Sequence, residues 1–145
     1  MATIKTISDA IISRVSGQVA ALTGRVATFD GDARAYLDQV KSVPFAGLRF
    51  EGLAQAPPNV GGTVAEEEQV YTLLLIAEDF SGLGFSMESC YPLIDSVRNC
   101  LMGHILTAGT DPVEIERAEK NRQMEAEQIT AYDIVFRVRQ TIQQV

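Results

Sequence analysis

Apolar residues at Ile4, Ile7, Ile11, Val15, Val19 and Leu22 recur at steps of three and four, with Lys5, Asp9, Arg14 and Gln18 elsewhere around the wheel. That spacing predicts an amphipathic helix. Gly24 suits its C-terminal stop, and Thr6 or Ser8 serves as a cap or lies within it. The period then changes. RVATF (25–29) reads as a short strand and DGD (30–32) as a turn, with Asp32 capping a short helix, ARAYLDQVK, that ends before Pro44. FAGLRFEGLA (45–54) alternates Leu48 and Phe50 with Arg49 and Glu51, a half-exposed strand whose glycines suggest a bulge or bend. QVYTLLLIAE (69–78) is apolar on both alternations, as in a strand covered on both faces.

After the glycine-rich connection DFSGLGF, a second stripe runs through Met87, Cys90, Tyr91, Ile94, Val97, Leu101 and Ile105. Ser86 opens this helix; Pro92, one or two turns in, either delays its start to near Tyr91 or makes it slightly irregular, and Gly103 ends it. DPVEIERAEKNRQMEAEQ (111–128) is rich in helix formers but has no apolar stripe, and Val113 and Ile115 alternate. The last segment sets Tyr132, Ile134, Phe136 and Val138 against Asp133, Arg137 and Arg139. Together these two stretches predict a terminal β-hairpin. The expected fold is α+β: a two-layer sandwich with a mixed, mostly antiparallel sheet of four to five strands. Two main helices cover one face, and a long loop, about residues 55–68, joins two strands. At 145 residues the chain is expected to form one domain.

Charge narrows the range of partners. The formal net charge is -7, and Lys and Arg are scattered. Specific nucleic-acid binding and adhesion to an anionic membrane are both disfavoured. No apolar run approaches the ~20 residues of a membrane span, and the first residues carry charges where a signal peptide has its apolar core. A soluble protein made in the cytosol is expected. Cys90 and Cys100 read as small buried hydrophobes.

Candidate chemistry is sparse. The one histidine, His104, has no second histidine with which to build a metal site. Neither cysteine has an evident base. SGLGFS (81–86) lacks the Lys of a phosphate-binding loop. Asp30, Asp32, Glu78 and Asp79 are the one carboxylate set from which a metal-dependent hydrolase could be built. No catalytic, cofactor-binding or metal-binding residue is assigned. A different feature stands out: Pro57, Pro58, Gly61 and Gly62 lead into Glu66, Glu67 and Glu68, directly against an apolar strand. That reads either as a solvated face or as a mobile acidic arm of the kind that orders against a partner surface.

The phrases ISDAIISRV, TFDGDARAYL, YPLIDSVRNCLMG and ITAYDIVFRVRQ, in this order of elements, resemble tail terminator proteins of Mu-like contractile-tailed phages. The likeness spreads over most of the chain and rests on layout, not on a catalytic motif. It implies a structural, non-enzymatic protein of the virion, assembled in the host cytoplasm and placed at the head-proximal end of the tail. Such proteins form a hexameric ring on the tail tube protein, end tube growth and offer the surface for head attachment. Sheath and head-completion proteins are further partners, and DNA passes through the ring without specific binding. The resemblance points to the loop for subunit, tube or channel contacts: Gln55, Asn59, Val60, Thr63, Val64, Glu66, Glu67 and Glu68. The strand edges add Arg49, Glu51, Arg137 and Arg139 as ring-interface candidates. The alternatives are a head–tail joining or tail-tube component of the same virion, or the small metal-dependent hydrolase.

Overall fold

A computed structural model describes residues 2–29, 44–55, 64–79, 91–122 and 129–143. Helix α1 (Ile4–Gln18) is followed by a short 3₁₀ turn (Ala20–Leu22) and strand β1 (Val26–Thr28). Then come β2 (Phe45–Gln55), β3 (Val64–Asp79), helix α2 (Tyr91–Leu101), β4 (Glu114–Lys120) and β5 (Ile129–Gln143). One mixed sheet has the order β1-β2-β3-β5-β4. Only β1–β2 is parallel; the other three pairings are antiparallel. The expected α+β class and mixed sheet are found. The expected short helix after Asp32 and the SGLGFS turn lie outside the described residues.

The stripe of α1 works as its spacing requires. Ile7, Ile11, Val15, Val19 and Leu22 are buried, while Ile4 at the first turn stays 40 % exposed. The cap is Thr3, whose hydroxyl accepts from the Thr6 N–H at 3.1 Å; Thr6 and Ser8 lie inside the helix. Gly24 and Gly103 take φ of +70° and +74°, the left-handed conformation that favours glycine after a helix. Helix α2 begins at Tyr91, one residue before Pro92, where proline's missing N–H costs no helical bond. Its inner face is Val97, Cys100 and Leu101. Tyr91 and Ile105, both expected in the apolar stripe, are exposed: Tyr91 is the first helical residue and Ile105 lies past the helix end.

The core fills the space between the helices and one face of the sheet. Leu48, Tyr71, Leu73, Leu75, Ile134, Phe136 and Val138 face Ile7, Ile11, Val15, Val97 and Leu101. Register explains the set: Tyr71 pairs Phe136 and Leu73 pairs Ile134, so residues of one parity on each strand share a face. The Tyr71 and Phe136 rings stack at 5.8 Å. Leu74 and Ile76, on the other parity, are buried too, as a strand apolar on both alternations demands.

The expected loop is shorter than its sequence suggested. Strand β2 runs through Gln55 and β3 starts at Val64, so Glu66, Glu67 and Glu68 are strand residues paired in backbone with Thr141, Gln140 and Arg139. Three consecutive acids are tolerated because they meet three environments. Glu66 faces solvent, Glu67 is buried among amides, and Glu68 sits between two arginines. They do not form an acidic arm. Asn59, Val60 and Thr63 lie outside the described residues.

Candidate functional site

The sheet face away from the helices carries rows of polar residues set by the register. Arg49 opposes Thr72, Thr72 opposes Val135, and Val135 opposes Arg117. The next row runs Gly47, Leu74, Asp133, Glu119, and on the other side lies Gly52, Val70, Arg137, Glu114. Two bulges, between Phe50 and Gly52 and between Ile115 and Arg117, add Glu51 and Glu116 to this face. Sheet twist and bulges make the surface concave. The resulting groove holds about 710 Å³, with Phe29 at the β2 side and Asn121 at the β4 side.

Phe29 fixes that side by close approach. A Cβ on Gly47 would lie 2.6 Å from Phe29 Cδ1, so glycine is what lets the ring lie on the strand.

Ion pairs run along the groove. Arg49 Nε bonds Glu51 Oε1 at 2.6 Å. Arg137 reaches Glu116 at 3.1 Å and Glu68 at 3.3 Å, while Arg139 reaches Glu68 at 2.9 Å and Glu114 at 3.3 Å. Arg117 holds Glu119 and Glu116. The hydrogen bond from Arg49 keeps the Glu51 carboxyl below its usual range. Burial pushes Asp133 the other way, partly offset by the Asn121 Nδ2 bonds at 3.1 and 3.3 Å. Each pair is partly solvated and so contributes little to stability alone. Their sum is a pre-ordered, charge-alternating surface.

A second polar cluster closes the helix-bearing side near the start of α1. Gln69 donates to Glu67 at 2.8 Å, and the Tyr71 hydroxyl donates to Gln69 Oε1 at 2.5 Å. Gln140 grips both backbone groups of Ala2: its Oε1 accepts from the N–H at 3.1 Å and its Nε2 donates to the C=O at 2.8 Å. Burial pushes the Tyr71 phenol up to about 12.

Of the sequence-predicted interface residues, Arg49, Glu51, Arg137, Arg139 and Glu68 come together on the groove face. Gln55 ends β2, opposite Glu67. The structure adds Glu114, Glu116, Arg117 and Glu119, whose signal was the alternation of Val113 and Ile115 with charged neighbours. It also adds Asp133, whose role appears only from the register.

The groove is lined mainly by paired acidic and basic side chains. Among the described residues, no group of three or more His, Cys, Asp or Glu is placed to hold a metal. Asp30 and Asp32 of the hydrolase set lie outside the described residues; Glu78 and Asp79 end β3. Cys100 is buried and its thiol is pushed up by that burial, the opposite of an activated nucleophile. His104 sits in the turn after α2, its N–H bonded to the Leu101 C=O.

No family model matches the sequence, and no curated protein matches it. Among solved structures, the chain is similar to one from the virion of a native gene transfer agent particle, with a TM-score of 0.58 and 18% identity. The match covers 93% of this chain and 97% of that one. At this identity the likeness establishes the fold.

Proposed function

We propose that this chain is a structural protein of a phage-like virion, acting as a tail terminator. Six copies form a ring on the tail tube, stop its growth and present a surface to the head. The observation that carries the reading is the end-to-end match in fold to a virion chain, which leaves almost none of either chain unaccounted for. The groove supports it: a rigid, charge-alternating sheet face suits docking to another protein. Arg49, Glu51, Arg137 and Arg139 are assigned to that docking, with the segment from Gln55 to Glu68 beside them. The acidic balance of the chain suits passage of DNA, whose one charge per ~1.7 Å of axis is repelled by carboxylates.

Electron microscopy of the purified protein mixed with its tail tubes tests this. The expected result is a six-fold ring at one tip and tubes that no longer lengthen. Bare tips at saturating protein, or rings stacked along the tube, would remove the terminator role. A melting temperature raised strongly by Mg²⁺ or Mn²⁺ would point to the hydrolase instead.

A further inference from the structure

Six large apolar side chains are exposed among the described residues: Ile4, Phe50, Leu53, Tyr91, Met102 and Ile105. Five of them form two groups. The Phe50 ring meets Tyr71 edge-on at 5.4 Å, Leu53 lies opposite Gln69, and the Tyr71 hydroxyl reaches the Ile4 carbonyl at 3.5 Å. Ile4, Phe50 and Leu53 therefore surround one spot on the helix-bearing side. Among the described residues, strand β1 pairs with Ala46, Gly47 and Leu48, and the spot lies further along β2. Met102 and Ile105 bracket the turn after α2. That turn is tied to the β4 side by Gly103 N–H to Val113 C=O at 2.9 Å and Val113 N–H to His104 C=O at 3.0 Å. With β2 and β4 at opposite sides of the sheet order, the two groups occupy opposite flanks.

Three of these five side chains, Leu53, Met102 and Ile105, also lie in stretches of sequence free of charge. Gly52 to Ala65 and Asn99 to Thr110 are the two longest runs in the chain without Asp, Glu, Lys or Arg. Copies of a chain with net charge -7 repel each other, so contact between them is cheapest where neither surface is charged. The outer edge of β4 is treated oppositely: Glu114, Glu116, Arg117 and Glu119 and a bulge guard it against strand addition. A head-to-tail interface needs two different patches on one molecule, and here there is an exposed apolar group on each flank.

We infer that the Ile4–Phe50–Leu53 patch of one copy seats Met102 and Ile105 of the next copy. The inference rests on the ring reading and names its subunit contact. A standard interface takes about 800 Å² from each side, about a tenth of this molecule's 7994 Å² surface. The five side chains supply its apolar centre and the polar surface around them its rim.

Cysteine cross-linking between copies tests the contact. Full-length Leu53→Cys and Ile105→Cys proteins are mixed on tail tubes and oxidised, with wild type, which carries Cys90 and Cys100, as the blank. Both positions are exposed, and matching melting temperatures verify that each variant folds. The mixture is expected to give covalent dimers well above the blank, and the double variant a ladder to the ring size. Rings visible on the tubes with no Leu53–Ile105 product would overturn the contact and leave the terminator reading standing. Cross-linking of Leu53→Cys with itself alone would also overturn it, since that marks a two-fold pairing. A ladder in solution with bare tube tips would support the contact and sink the terminator reading.

Discussion

Gly47 and Tyr71 show how single residues set this structure. The Phe29 ring occupies the place of a Gly47 Cβ, at 2.6 Å, so Gly47→Ala forces the ring or the strand to shift. Such overpacking costs about 1–3 kcal/mol, to be read from the urea midpoint. Phe29→Ala in the same chain is expected to remove much of the added penalty. Tyr71 gives a pH signature. Its phenol is raised from 10.0 to about 12, so the folded state keeps a proton that the unfolded chain begins to lose near 10. Stability is then full below pH 10 and declines as pH rises from there towards 12. Tyr71→Phe is expected to lower stability at neutral pH, by loss of the bond to Gln69, and to flatten the alkaline decline. An unchanged alkaline slope would exclude Tyr71 as its source.

Within β3, the three consecutive glutamates are expected to respond differently. Glu66→Ala, at an exposed position, is expected to stay within about 0.5 kcal/mol of wild type. Glu68→Ala removes a partly solvated bridge to Arg137 and Arg139 and is expected to cost no more than about 1 kcal/mol. Glu67→Ala strips an acceptor from Gln69 and Gln140 in a buried site, and about 1–3 kcal/mol is expected. Denaturant melts of the three single variants give the order directly. Equal effects would mean that the strand placement of this segment does not govern its energetics. The sequence showed the acids and the apolar strand beside them, but joined them to the loop. Alternation was legible from Gln69 onward; the polar residues Glu67 and Gln69 on the core-facing parity hid its continuation.

For the whole molecule the governing quantity is net charge against apolar contact. If copies meet through apolar side chains, salt mainly screens their mutual repulsion. Raising ionic strength from about 0.05 M to about 0.5 M shortens the screening length severalfold, and association between copies is expected to hold or rise. An interface built from the groove's ion pairs would weaken over the same range. Yield of the Leu53–Ile105 cross-link across a salt series separates the two, because it reads the contact between copies and not docking through the groove. Oligomeric contact also bears on stability, because anything binding only the folded chain raises its melting temperature with concentration.

The amino-acid sequence alone determined most of the helix and strand segments, the first residues of β3 apart, and the apolar face of most of them. Those properties depend on neighbours two to four residues away. Legible on that basis were α1, a second helix ended by Gly103, the bulged β2, the doubly apolar β3 and the terminal hairpin. Tertiary structure alone decided that β5 lies between β3 and β4 and that β1 joins β2 in parallel. It also brought Glu68 to Arg139, across 71 positions of chain, and set the two exposed apolar groups on opposite flanks. These follow from long-range register, which backbone pairing fixes between distant strands and which no local periodicity encodes.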